Sequence, residues 1–259
     1  LAAAMRGAET VFHLAALVGI PYSYRAPRDV VQTNTVGTLN VLLAAHSAGV
    51  GRVVHTSTSE VYGTAQYVPM PETHPLNAQS PYAASKIGAD QIALSFQRSF
   101  GLPVSIARPF NAYGPRQSPR AVIPAIVTQA LAGETIRLGS LTPSRDFTYA
   151  TDTAAGFMAI AASEATIGGV YNLGSGREVS IADLVRIVGE TLGRDLTVET
   201  DAQRLRPDAS EVDRLLADSS LARTVTGWQA TVPLEEGIAR VIDWQQSRGG
   251  AFDPARYAV

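Results

Sequence analysis

The chain has 259 residues, 46% hydrophobic and 17% charged, a composition that folds around a core. Its 21 Lys+Arg against 23 Asp+Glu give a formal net charge of −2, so no overall field recruits nucleic acid or an anionic membrane. With no cysteine, disulfides, thiolate metal sites and cysteine nucleophiles are excluded. No run approaches the roughly 18 apolar residues of a membrane span, and the start lacks a basic lead and a long apolar run. The chain reads as cytoplasmic. Its first residue is Leu, so the gene product is expected to be longer.

Strand-like and helix-like segments alternate, which predicts an α/β fold with a parallel sheet covered by helices. Residues 10–16 form an apolar run fit for a buried strand, and residues 29–48 carry apolar positions at helical spacing, with Gly49 and Gly51 just beyond. Residues 52–57 predict the next strand, running straight into the polar loop Thr58-Ser-Glu60. A helix is predicted over Pro81–Phe100, with proline at an allowed first-turn position and Gly101 as the stop. A strand follows at 102–108. Beyond Asn111 the pattern loosens into shorter elements, with helices near 123–132, 152–163 and 181–192. This half is expected to form a substrate-capping lobe.

Tyr82-Ala-Ala-Ser-Lys86 places a phenol and an ammonium on one helix face, one turn apart. A neighbouring cation favours the phenolate, so Lys86 is expected to bring the Tyr82 pKa down towards working pH and make it a general acid/base. About twenty residues earlier, at the carboxyl end of a strand where open α/β sheets place ligands, stand the hydroxyls of Thr56, Ser57, Thr58 and Ser59 beside the carboxylate of Glu60. Each motif alone is also met as an ordinary surface helix or capped turn. His13, at a buried strand end, reads as a structural histidine, and four scattered histidines offer no metal site.

Several stretches in order resemble the extended short-chain dehydrogenase/reductases that act on nucleotide sugars. They are Val11-Phe-His-Leu-Ala-Ala16, Asn34-Thr-Val-Gly-Thr38, Thr56-Ser-Thr-Ser-Glu-Val-Tyr-Gly63, Tyr82 to Lys86, Arg108-Pro-Phe-Asn-Ala-Tyr-Gly-Pro115 and Ser144-Arg-Asp-Phe147. The resemblance implies a Rossmann-like doubly wound sheet over residues 1–110 and a smaller mixed α/β substrate-binding lobe over 111–259, with 140–172 returning to the Rossmann core. It also implies NAD, or NADP, beneath a nucleotide-diphosphate sugar. Tyr82 would take the proton of the sugar 4-hydroxyl as C4 gives up hydride, Lys86 would hold the cofactor ribose, and Thr58 would bond the 4-oxygen. Ala15, Ala16, Thr56, Ser57 and Pro109 match positions lining the cofactor, and Asn111, Arg145, Asn172 and Arg206 match positions holding sugar and diphosphate. The arginines suit phosphate because a planar guanidinium pairs with two oxygens.

Glu60 stands where sugar 4,6-dehydratases keep the base that removes the C5 proton, which favours dehydration over simple 4-epimerisation. Ser59 departs from the dTDP-glucose 4,6-dehydratases, which carry Asp there as the acid for the leaving C6 hydroxyl; Ser59, water or the substrate must then assist. Thr-Ser-Glu also occurs in UDP-glucuronate decarboxylases, whose surroundings of the catalytic tyrosine differ from Ser80 to Asp90 here. The runs Leu138 to Phe147 and Arg204 to Asp218 resemble the N-acetylglucosamine nucleotide 4,6-dehydratases of legionaminic acid biosynthesis. A nucleotide sensor on the same fold is the non-catalytic alternative, and retention of Tyr82, Lys86, Thr58 and Glu60 counts against it. The family's opening G-x-x-G-x-x-G turn is not found, so roughly 60 residues of βαβαβ are expected upstream. Family members often dimerise through a four-helix bundle, here built from helices 29–48 and 81–100.

Overall fold

A computed structural model describes residues 1–248. After a short helix, α1 (Ala2–Met5), the chain enters β1 (Thr10–His13), then α2 (Ile20–Arg25) and α3 (Pro27–Val31). A π-helical turn, Gln32–Val36, joins α3 to α4 (Gly37–Ser47), so the single helix expected over 29–48 carries a bulge in its first half. The order continues with β2 (Arg52–Thr56), a 3₁₀ turn (Ser59–Tyr62), α5 (Pro81–Phe100), β3 (Val104–Pro109), β4 (Asn111–Tyr113), α6 (Val122–Ala132), β5 (Thr135–Leu138), β6 (Ser144–Tyr149) and α7 (Ala150–Ala162). It closes with β7 (Val170–Leu173), β8 (Glu178–Ser180), α8 (Ile181–Leu192), β9 (Thr197–Thr200), α9 (Ser220–Thr226) and α10 (Leu234–Ser247).

The main sheet has the order β1-β2-β3-β7, every pair parallel. Because helices cover both faces, successive residues of a strand are buried on opposite sides. Val53 and Ile106 pack with Leu42, Ala93 and Phe96 under α4 and α5, while Val54 and Ala107 pack with Phe157, Ile160, Leu173 and Trp228 under α7. This is why Val53 and Val54, neighbours in β2, and Ile106 and Ala107, neighbours in β3, are all buried.

The second half builds its own core from Ile123, Ile126, Ile136, Phe147, Leu184, Val188, Ile238 and Val241. Its α8 is secured by a capping box, the Ser180 hydroxyl accepting from the Asp183 amide while the Asp183 carboxylate accepts from the Ser180 amide. The chain's return to the main sheet differs from the expected 140–172 segment. β6 pairs instead with β4 and, antiparallel, with β8, and only α7 and β7 rejoin the large sheet. The cause is local: Phe147 and Tyr149 stack edge-on against Tyr113 in the lobe core. Among the described residues no helix is long and apolar enough to cross a membrane.

Candidate active site

Two capped turns aim the catalytic candidates. The Thr58 hydroxyl caps the 3₁₀ turn by accepting from the Glu60 amide at 3.3 Å, which fixes Ser59 and Glu60 directly beyond β2. Gly63 ends that turn at φ 65°, and a Cβ there would lie 2.5 Å from the Asn77 carbonyl oxygen, so only glycine fits. The Ser80 hydroxyl caps α5 by accepting from the Ala83 amide at 3.1 Å, with Pro81 at the first helical position. Tyr82 and Lys86 therefore leave the first turns of α5 on one face, and both are buried, at 9% and 3% exposure.

Burial decides their acidities. It pushes the Tyr82 phenol up to about 12, aided by Glu60 and Asp90 and opposed by a hydrogen bond with Thr58. Burial likewise pushes the Lys86 ammonium down to about 8, with the Asp90 carboxylate resisting. Lys86 does not bring Tyr82 down as expected: desolvation of the phenolate outweighs the influences that favour its charge.

Between this wall and the lobe lies a cleft of about 260 Å³, lined by Glu60, Asn111, Arg145 and Arg206 together with Gln117, Arg120 and Glu211. Arg145, on β6, is 6% exposed; its Nη1 donates to the Ser144 carbonyl at 2.9 Å, and its Nη2 lies 3.5 Å from Glu211 Oε1. Arg206 Nη1 reaches the same Glu211 oxygen at 3.3 Å. Glu60 Oε2 and Asn111 Oδ1 are buried without a hydrogen-bond partner, and both residues line the cleft. Glu60 belongs to both halves of the site, since its charge raises the Tyr82 pKa and opposes the burial that lowers that of Arg145.

Two candidates stand elsewhere. Asn172, expected to hold the sugar, is fully buried on β7: its Oδ1 accepts from the Tyr62 hydroxyl at 2.8 Å and its Nδ2 donates to the Met70 carbonyl at 3.0 Å. It is committed to joining β7 to the 3₁₀ turn and the loop behind it. The Ser57 hydroxyl, expected at the cofactor, instead donates to Asp90 Oδ2 at 2.7 Å. Glu211 and Asp90 are the members that sequence reading missed. Asp90 was signalled by its four-residue spacing from Lys86, whereas nothing local marks Glu211 as the partner of Arg145.

The carboxyl ends of β1, β2 and β3 offer the ground on which a dinucleotide would lie. Ala15 is exposed and Ala16 half-buried beyond β1, Pro109 is half-buried at the end of β3, and Thr56 Oγ1 is buried without a partner at the end of β2. The loop after β1 is pinned to α5 by Asn34, from the π turn. Its Oδ1 accepts from the Leu17 amide at 2.8 Å, and its Nδ2 donates to the Leu17 carbonyl and to Ser85 Oγ, both at 3.0 Å. These small side chains, the unpaired Thr56 hydroxyl and Lys86 fit a nicotinamide and its ribose. His13 has the structural role expected of it: its Nε2 is 3.0 Å from Thr38 Oγ1, its ring lies 5.4 Å from that of His55, and burial pushes its pKa down to about 4. Among the described residues no cluster of three or more His, Asp or Glu could hold a metal ion.

A family model described as GDP-mannose 4,6 dehydratase matches residues 4–241. The chain belongs to this family. It is 35% identical over 254 residues to a dTDP-glucose 4,6-dehydratase of Streptomyces antibioticus, covering 97% of this chain and 74% of that protein. It is also 35% identical over 245 residues to a UDP-glucose 4-epimerase of Mycolicibacterium smegmatis, covering 93% and 77%. The crystal structure of a Streptomyces venezuelae dTDP-glucose 4,6-dehydratase, solved with NAD bound, superposes with a TM-score of 0.89 at 33% identity over 98% of this chain and 78% of that one. The family member thus has the Rossmann-like parallel fold and the class of NAD-dependent sugar-nucleotide dehydratases and epimerases.

Proposed function

We propose that the protein is an NAD-dependent nucleotide-sugar 4,6-dehydratase, giving a 4-keto-6-deoxy sugar nucleotide. The observation that carries the reading is Glu60, a carboxylate with one unpartnered buried oxygen, set on a capped turn between Tyr82 and the arginine-lined cleft. Bound at the ends of β1–β3 and held by Lys86, NAD would accept and later return a hydride. Thr58 bonds the sugar 4-oxygen while Tyr82, as phenolate, takes the 4-hydroxyl proton. The resulting 4-keto group acidifies the hydrogen on C5, which Glu60 removes as a proton. The C6 hydroxyl then leaves as water, taking the proton held by Glu60 with Ser59 beside it as the protein group available to relay it, and a C5–C6 double bond forms. Return of the hydride to C6 and of a proton, matching the one Tyr82 took, to C5 gives the 4-keto-6-deoxy sugar. Arg145 and Arg206 hold the diphosphate, with Asn111 turned to the sugar, and both guanidiniums can bind phosphate oxygens in pairs.

To act as the base Tyr82 needs a pKa below about 12; the Thr58 hydrogen bond favours the phenolate, and NAD held by Lys86 would add its positive charge. The buried, tightly capped wall suits this work because its groups move little as charge develops. The absence of cysteine suits a cytoplasmic location. For a homodimer, the exposed Val31 on α3, Leu43 on α4 and Phe100 at the end of α5 support a helical interface; the mass in solution tests it.

The deciding experiment is incubation with NAD and UDP- or GDP-N-acetylglucosamine, dTDP-glucose and UDP-glucuronate, with products read by mass. Loss of water that disappears in Glu60→Gln and in Tyr82→Phe is the expected result. An unchanged mass with a new stereoisomer would make this an epimerase and Glu60 a structural residue, and loss of carbon dioxide would make it a decarboxylase.

A further inference from the structure

We propose that Asp90 is a positioning residue for the Tyr82–Lys86 pair, one buried carboxylate that clamps α5 to both β2 and β3 and, one helical turn on, serves as the counter-ion of Lys86. The inference rests on the roles assigned above to Tyr82 and Lys86.

Tyr82, Lys86 and Asp90 follow one another at four-residue spacing and so form a row along one face of α5. Asp90 is fully buried, and its partners come from β2, the residue just past it, and β3. Ser57 Oγ, just past β2, donates to Oδ2 at 2.7 Å. Arg108, on β3, donates to the same oxygen from Nη2 at 2.9 Å and from Nε at 3.3 Å. His55, on β2, places Nε2 3.4 Å from Oδ1. Burial alone would raise the Asp90 pKa, but the His55 contact and the Arg108 charge outweigh it and hold the group below the ordinary carboxylate range. The carboxylate is therefore a fixed buried anion.

The clamp reaches the other catalytic element as well. Arg108 Nη1 donates to the Tyr62 hydroxyl at 3.0 Å, its guanidinium carbon lies 5.0 Å from the centre of the Tyr62 ring, and the Tyr62 hydroxyl donates to Asn172. Tyr62 ends the turn that carries Ser59 and Glu60. One Asp90–Arg108 pair thus fixes the helix of Tyr82 and Lys86 against the turn of Thr58 to Glu60.

The charge ledger around Lys86 points the same way. Facing this region are His13 from β1, His55 from β2, Arg108 from β3, Tyr82 from α5 and Glu60 from the 3₁₀ turn. Burial lowers both histidine pKa values, which leaves Lys86 and Arg108 as the cations. Asp90 is the group that resists the loss of the Lys86 proton. Without it, two buried cations lose their common counter-ion. Because Asp90 also raises the Tyr82 pKa, its removal shifts both groups towards acid together.

Lys86 is the only lysine in the sequence, so a lysine-selective label reports this site alone. The protein labelled with ¹³C at lysine Cε is titrated as wild type, Asp90→Asn and Asp90→Glu, alongside pH profiles of kcat and KM. In Asp90→Asn the lysine midpoint is expected to fall by about one pH unit or more. The kcat profile should move to acid with it, KM for the sugar nucleotide should stay near wild type, and Asp90→Glu should restore the midpoint. If Asp90→Asn does not fold, the double variant Asp90→Asn/Arg108→Met leaves no unpaired charge at the clamp, and the same fall is expected. A midpoint that stays at the wild-type value in the folded Asn variant overturns the proposal, even if the rate drops. The titration needs no turnover, so a shifted midpoint without any sugar-nucleotide product would defeat the dehydratase reading and leave the clamp standing.

Discussion

The two walls of the cleft are built on opposite plans. On the main-sheet side, Ser57, Asp90, Arg108, Tyr62 and Asn172 bond to one another away from solvent, so Tyr82 and Lys86 stand on a rigid base. On the lobe side, Arg145 and Arg206 share a single Glu211 oxygen at 3.5 and 3.3 Å, and the Arg206 side chain is 27% exposed. Rigid elements hold the groups that must be placed to within fractions of an ångström, while Arg206, nearer the lobe surface than the buried Arg145, can adjust to a polar ligand. On the proposed roles, the contrast separates reaction chemistry from recognition.

The largest break in this comparison is Tyr82→Phe. It should cut kcat by about 10²–10⁴-fold with little change in stability or KM, because it deletes one proton-transfer group and no packing. Steady-state kinetics beside a thermal melt would check it; an unchanged kcat would remove Tyr82 from the chemistry. Next comes Arg108→Ala, which strands Asp90 as an unpaired buried anion and should cost about 3–5 kcal/mol in denaturant unfolding. A loss below 1 kcal/mol would mean that the rigid wall is not held by this pair.

On the recognition wall, Arg145→Lys should raise KM for a nucleotide sugar by about 10-fold or more at near-constant kcat, since an ammonium cannot make the paired contact to phosphate. Arg206→Lys, at a more exposed position, should raise it less, by about 3-fold. Equal effects would erase the gradient from buried to exposed along that wall.

A further test uses pH. His13 has its folded pKa pushed down to about 4 from 6.5, so its neutral form belongs to the native state and the unfolded chain binds the proton first. Its contribution is fully present above pH 6.5 and is lost as pH falls towards 4, by about 1.4 kcal/mol per pH unit. Chemical denaturation near neutral and near acid pH should show His13→Gln with a flatter pH dependence than wild type. Identical slopes would mean that His13 is not neutral in the native state.

What the sequence alone determined is local: helix Pro81–Phe100 with its proline start and glycine stop, helix Ile181–Leu192, the strand leading into Thr58–Glu60, and the Tyr82–Lys86 spacing all rest on interactions within a turn or two. Such signals survive in one dimension because 3.6-residue periodicity, capping side chains and apolar runs are properties of neighbours. Tertiary structure decided the rest. It buried Asn172 behind the 3₁₀ turn, gave the Ser57 hydroxyl to Asp90, paired β6 with β4 and β8, and set Glu211, 66 residues after Arg145 in the chain, between two arginines. It also reversed the expected acidity of Tyr82, because desolvation depends on what the whole fold places around a group and a motif carries no measure of it.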